Sequence, residues 1–224
     1  MAPAGEFLSL LNDGDRRDLE AIAHRRSADR GDVLLARGDA ADRVLVIEAG
    51  RAKVSVSTSS GREAVLTFRG PGALLGDQAL VDESPRSATV MAVERVDFLV
   101  VAASAFRSYL SSHPQVALAM MAVLSARLRE SDGRLAEFAA ADTLGRVCAR
   151  LAELCETQGE AGEGGDDGVR ITLPITQEEL AGWTGSSLES TAKALRALRS
   201  LGWIATGRRA IEVHDLAALR GRAP

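Results

Sequence analysis

The segment GDQALVDESPRSATV, residues 76 to 90, gathers side chains able to hold an anion. Gly76 has no Cβ and lets the backbone come close to a ligand. A short helical turn beginning there would offer N–H groups to negative charge. Arg86 brings a planar fork of charged donors, and Ser87 adds a hydroxyl or an N–H. Asp77, at the start of the turn, is an acceptor for a ligand hydroxyl. A structural salt bridge is the other role open to Arg86. A second group lies near the C-terminus. Ser187 can cap a helix through its hydroxyl, and Leu188, Glu189 and, one turn later, Lys193 then stand exposed at its start. The end of such a helix can touch base edges in the major groove of DNA. Glu189 can accept from a cytosine amino group, whereas Leu188 has no hydrogen bond to offer. Arg208 and Arg209 are placed to meet phosphate or, failing that, solvent.

The elements that must position these residues are written in the pattern of the chain. Residues 15 to 26, DRRDLEAIAHRR, read as a short helix with Leu19, Ile22 and Ala23 on one face. From Asp32 to Val101 short β-rich runs recur: VLLARG, RVLVIEAG, AKVSVSTS, EAVLTFRG, ATVMAV and DFLVVAA. Glycines punctuate them, and Ser60-Gly61 looks like a hairpin turn. Strands this short, with turns this regular, predict a small barrel or sandwich. A helical region starts at Ser104, and Pro114 opens a long helix. Along it Ala117, Met121, Leu124, Leu128, Ser131, Leu135 and Phe138 are spaced 4, 3, 4, 3, 4 and 3 residues apart. That alternation is the seam of a helix that pairs with another helix. An ordinary amphipathic helix packed on its own domain is the alternative. LGRVCARLAELC forms a further helix, QGEAGEGGDDG is expected to be a loop or linker, and VRITLPI a strand. TQEELAGWTG and SSLESTAKALRALRSLG are two helices joined by a tight Thr184-Gly185-Ser186 turn, and WIATGRRAIEVHD is a hairpin turning at Gly207. Leu180, Trp183, Thr191, Ala194, Leu195 and Leu198 repeat at helical spacing and should form the core. Helix, glycine turn, helix and hairpin in this order make a winged helix-turn-helix.

Composition sets the outer bounds. The 224 residues suffice for one large or two small globular domains. A run of about 18 apolar residues is absent, so no transmembrane helix is expected. The start, MAPAGEFLSLLNDGDRR, lacks a basic region leading into an apolar core, so no signal peptide is expected either. From Arg170 onward eight basic residues face five acidic ones, a net +3, which leaves −7 for the rest of a chain whose total is −4. An acidic body joined to a basic end fits DNA contact by that end alone. The two cysteines, Cys148 and Cys155, sit seven apart on a helical stretch and read as buried thiols. Two are too few for an iron–sulfur cluster. His24, His113 and His214 are isolated, which argues against haem ligation. Neither a nucleophile–base arrangement nor a metal-spaced cluster nor a phosphate-binding loop is evident, so an enzyme is not expected.

TQEELAGWTGSSLESTAKALRALRSLGWIATGRRAIEVHD resembles the DNA-binding domain of the CRP/FNR regulators, and GDQALVDESPRSATV resembles the phosphate-binding cassette of cyclic-nucleotide-binding domains. The resemblance runs from about Asp15 to Asp215. It implies that Thr176 and Gln177 touch phosphate at the start of the first helix, and that Ser187, Leu188, Glu189 and Lys193 occupy the reading positions. Many members carry arginine where this chain has Leu188, so the usual half-site does not carry over. In the cassette Gly76, Arg86 and Ser87 match, as do Pro85, Ala88 and Thr89. The acid that takes the ribose 2′-OH is Asp77 in place of the usual glutamate. Ser131 and Asp132 fall where cAMP-responsive members place threonine and serine against the base, and Asp132 departs from that pattern.

The resemblance implies an α+β chain. Its expected parts are an N-terminal double-stranded β-helix or jelly-roll barrel over residues 1–112, a dimerisation helix over 113–141 and a C-terminal winged helix-turn-helix over 142–224. The function it implies is a DNA-binding transcription regulator whose operator affinity responds to a small effector, cAMP or another cyclic nucleotide, with no covalent or metal cofactor. Expected partners are double-stranded DNA bearing a pseudo-palindromic operator, a second copy of the chain, and RNA polymerase, with no membrane. The expected location is the cytoplasm. A regulator whose sensor pocket no longer takes a ligand, and a cyclic-nucleotide-binding module serving a partner protein, are the alternatives.

Overall fold

The computed structural model describes residues 6–58, 63–161, 169–171, 175–207 and 210–223. The chain divides into two compact units, Met1–Val56 with Leu66–Glu130, and Ser57–Val65 with Ser131–Pro224.

In the first unit a 3-10 turn, Phe7–Leu10, precedes helix α1, Asp13–Ala21. Asn12 caps α1 by accepting from the Asp15 N–H at 2.9 Å. Strands β1 (His24–Ala28), β2 (Val33–Leu35), β3 (Arg43–Ala49), β4 (Ala52–Ser57), β5 (Glu63–Arg69) and β6 (Leu74–Leu75) follow. After the short helix α2, Asp77–Asp82, come β7 (Thr89–Ala92) and β8 (Val96–Ala102), then α3 (Ala103–Ser112) and the long α4 (Pro114–Ala140). Two four-stranded sheets result, ordered β1-β8-β3-β6 and β2-β7-β4-β5. This is the double-sheet roll anticipated from the short strands. The expected helix over residues 15–26 is corrected: α1 stops at Ala21, and His24–Ala28 pairs antiparallel with β8, His24 opposite Val100 and Ala28 opposite Val96. Helical propensity in this stretch yields to an open sheet edge that satisfies its backbone groups. The Ser60-Gly61 turn lies outside the described residues.

Alternation along β3 and β8 explains their nearly unbroken apolar runs. Leu45, Ile47, Val96 and Phe98 join Leu34, Leu35, Leu75 and Val90 in the roll interior. Val44, Val46, Leu99 and Val101 point the other way, into a cluster with Phe7, Leu19, Phe106, Tyr109, Val116, Met120 and Val123. Strands β3 and β8 are thus covered on both faces, one by the second sheet and one by α1, α3 and α4, while the edge strand β1 is largely exposed. On α4, Val116, Ala119, Met120 and Val123 form this buried stripe. The predicted seam departs from this stripe only in part: Met121, Leu128 and Leu135 are 56%, 64% and 68% exposed, whereas Leu124 packs against the buried cluster.

In the second unit α5 (Thr143–Gln158) leads to β9 (Gly159–Ala161), β10 (Val169–Ile171), α6 (Gln177–Trp183), α7 (Leu188–Ser200), β11 (Ile204–Gly207), β12 (Ala210–Val213) and α8 (Leu216–Arg222). The sheet order is β11-β12-β10-β9. Part of the expected linker is therefore corrected to strand, since residues 159–161 pair antiparallel with β10. Glycine and acid in the stretch hid a strand that exists because β10 offers it a ladder. Every residue predicted for the helix-turn-helix core, Leu180, Trp183, Thr191, Ala194, Leu195 and Leu198, is buried. So are Cys148 and Cys155, and burial pushes both thiols up to about 11. Among the described residues no helix is long and apolar enough to cross a membrane, and no cluster of histidine, cysteine and acidic side chains is able to hold a metal.

Candidate functional site

Gly76, Asp77, Arg86 and Ser87 come together around α2. Gly76 caps this helix in the left-handed conformation, φ +79°, and a Cβ there would stand 2.5 Å from the Arg86 guanidinium. Only glycine meets both demands. Arg86 donates from Nη1 to the Gly76 carbonyl at 2.8 Å and from Nη2 to the Arg43 carbonyl, and Nη2 lies 3.5 Å from Asp42 Oδ1. Its backbone is tied as firmly, since the Arg86 N–H donates to the Asp39 carbonyl and the Gly38 N–H donates to Arg86, each at 2.9 Å. The Arg86 side chain is 3% exposed. Burial pulls its pKa below the usual arginine value, and Asp42 opposes the shift. Of the two roles considered for Arg86, the structure shows the structural clamp, and the same side chain lines a cavity. That cavity, of about 240 Å³, is lined by Leu35, Ala36, Asp39, Asp42, Arg43 and Arg86 among others. Ser87 is exposed, its Oγ 3.4 Å from Gln78 Oε1.

Asp77 is not open to solvent. Its side chain is 3% exposed, and Arg127 Nη1 from α4 reaches both carboxylate oxygens, at 3.0 and 2.9 Å. Arg127 Nη2 also donates to the Leu74 carbonyl. Sequence reasoning missed Arg127. The available signal was a basic residue one helical turn before Ser131. Around it stand Glu6, Arg69 and Glu130, and Arg69 Nη2 bonds Glu130 at 2.9 Å. Burial raises the Glu6 pKa, against the pull of Arg69 and Arg127. Ser131 and Asp132 are exposed on α4 in the second unit.

The helix-turn-helix is built from two capped helices. Thr176 caps α6: its Oγ1 accepts from the Glu179 N–H at 3.1 Å while Glu179 accepts from the Thr176 N–H at 2.8 Å. This reciprocal box was written in TQEE, a threonine followed three residues later by glutamate. Gln177 is exposed at the first position of α6. Ser187 caps α7, its Oγ accepting from the Ser190 N–H at 3.1 Å. Leu188, Glu189 and Lys193 are exposed on α7; Glu189 and Lys193 lie opposite its buried stripe, and Leu188 stands at the stripe's N-terminal end. Between the helices Gly185 has φ +59°, and a Cβ would meet the Phe138 ring at 2.6 Å. Arg146, also missed, packs its guanidinium 5.4 Å from that ring. It donates to the Thr184 carbonyl at 2.8 Å and to Ser186 Oγ at 3.2 Å. One α5 arginine thus fixes the turn that aims α7. Arg208 and Arg209 lie outside the described residues.

The model of the cyclic nucleotide-binding domain matches residues 25–113, and that of the Crp-like helix-turn-helix domain matches residues 145–222. The CRP-like cAMP-activated global transcriptional regulator of Mycobacterium tuberculosis is 32% identical over 194 residues, covering 87% of this chain and 85% of the relative. The chain belongs to the CRP-like transcriptional regulators. Solved structures agree. A CRP/FNR-family transcriptional regulator from Thermus thermophilus aligns with TM-score 0.72 and 26% identity over 89% of this chain and 98% of its own. FixK2 from Bradyrhizobium japonicum shares the fold at TM-score 0.79 and 20% identity, over 91% and 98%. In this CRP-like regulator the cassette lies within the cyclic nucleotide-binding match and both capped helices lie within the helix-turn-helix match.

Proposed function

We propose that this regulator binds a pseudo-palindromic DNA operator as a homodimer, with a cyclic nucleotide, cAMP first among them, setting its affinity. One observation carries the DNA reading: at the capped start of α7 Leu188, Glu189 and, one turn on, Lys193 are exposed, while Thr191, Ala194, Leu195 and Leu198 hold the helix in the core. Thr176, Gln177, Ser187 and the wing residues Arg208 and Arg209 are the proposed phosphate and groove contacts around it. The exposed Met121, Leu128 and Leu135 support pairing of α4 with its copy. The proposed parts are a sensor over 1–112, a dimerisation helix over 113–141 and a DNA-binding domain over 142–224. The protein acts in the cytoplasm, alongside RNA polymerase, without a catalytic step.

Gly76, Asp77, Arg86 and Ser87 are the proposed ligand contacts in the sensor, with Ser131 and Asp132 meeting the base. The relative named above is cAMP-activated, which supports this choice. A second reading is a regulator that works without ligand. Its support is that Arg86 and Asp77 already have internal partners, the carbonyls of Gly76 and Arg43 and the guanidinium of Arg127. Titrating operator DNA with and without cAMP, cGMP and pyrimidine cyclic nucleotides separates the two. Tighter DNA binding with a cyclic nucleotide must be mirrored by tighter nucleotide binding with DNA. Strong operator binding with no heat of nucleotide binding at millimolar concentration selects the second reading.

A further inference from the structure

The first residue of α7 is a large apolar side chain left in the open: Leu188 is 52% exposed. Its neighbours in sequence, Ser187, Glu189 and Ser190, are polar and exposed. Leu188 falls at the N-terminal end of the stripe Thr191, Ala194, Leu195 and Leu198, but those four are buried and it is not. The Ser187 cap holds the backbone at this end, and Cα–Cβ bonds in a helix tilt toward the N-terminus. The leucine therefore projects ahead of the helix end, where a reading helix meets base edges.

Leucine neither donates nor accepts. Set against a guanine edge, it would strip water from O6 and N7 and return nothing. The major groove offers one apolar group, the C5-methyl of thymine. We propose that Leu188 is a specificity-determining residue that reads a thymine methyl, so that each half-site carries a T·A pair opposite the first turn of α7. The proposal rests on α7 being the DNA-reading helix.

The test uses the full-length protein. Selection from synthetic random duplexes, which contain no 5-methylcytosine, yields the operator. Each selected thymine is then replaced by deoxyuridine, which removes the methyl and nothing else. One position per half-site should respond, weakening binding about fourfold, and on the order of tenfold when both half-sites are changed. Leu188→Ala should bind both duplexes alike, and Leu188→Arg should move selection at that position toward guanine. Because the side chain is exposed, both variants keep the fold, which circular dichroism checks. Specific operator binding with no thymine sensitive to deoxyuridine overturns the proposal, as does Leu188→Ala with an unchanged deoxyuridine effect. A selection that recovers no pseudo-palindrome overturns the reading-helix assignment itself, and this proposal with it.

Discussion

Replacing Arg127 by methionine removes the guanidinium that faces both Asp77 carboxylate oxygens, at 3.0 and 2.9 Å, and takes the donor from the Leu74 carbonyl. The Asp77 side chain is 3% exposed, so water cannot stand in for the lost partner. A buried charge stripped of its partner costs about 3–5 kcal/mol, and the Leu74 hydrogen bond adds about 1 kcal/mol. Against a domain stability of about 5–15 kcal/mol, that is enough to open the cassette or unfold the sensor unit. Asp77→Asn in the Arg127→Met background removes the stranded charge, and should restore about 2 kcal/mol or more. The two tryptophans, Trp183 and Trp203, lie in the second unit and the single tyrosine, Tyr109, in the first. Tryptophan emission therefore reports on the winged helix, while hydrogen exchange over α2 reports on the cassette. Arg127→Met should lower the urea midpoint of the sensor transition and erase protection at residues 77–82. A loss below about 1 kcal/mol, the worth of an exposed pair, refutes the buried ion pair, as does a double variant no more stable than the single one.

Leu128→Glu places a charge in the proposed α4 seam and should turn the proposed dimer into monomer in sedimentation, because burying it against its copy costs several kcal/mol, on the order of a lost buried ion pair. Thr176→Ala breaks the capping box and should lower winged-helix stability by about 1 kcal/mol in tryptophan-detected urea unfolding, with Thr176→Ser largely neutral. Both thiols, pushed up to about 11 by burial, should resist disulfide-exchange reagents in the folded protein and react on unfolding. His113 should make stability pH-dependent. The Tyr109 carbonyl at 2.9 Å and the Asp18 carboxylate at 3.1 Å both accept from its ring, and raise its pKa above the ordinary histidine value. Asp15 adds to the effect from the same helix. A raised folded pKa means that the contribution is complete below the unfolded value and is lost as pH rises through the folded one. The stability gap between wild type and His113→Gln should therefore be wider near about pH 5.5 than near about pH 8.5.

The sequence by itself determined what local chemistry and periodicity carry. Ser187 caps α7 because its hydroxyl reaches an N–H three residues on, and the buried stripe Leu180, Trp183, Thr191, Ala194, Leu195 and Leu198 follows from helical spacing. The order of β2, β3, β4, β5, β7 and β8 follows from runs and turns in the same way. Tertiary structure decided whatever depends on partners far along the chain. His24–Ala28 became strand only because β8, about seventy residues on, offered its edge. Residues 159–161 joined a sheet because β10 stood beside them. The carboxylate of Asp77 was visible in the sequence, but its neutralisation by Arg127 required α4 to pack across the cassette. Arg86 was legible as a cation, while its hold on the Arg43 carbonyl arises because the loop before β7 meets the start of β3. The physical reason is common to all four. A cap or a helical stripe is satisfied within a few residues, whereas a buried charge or an open ladder takes whichever partner the fold delivers, and nothing near it in the chain names that partner.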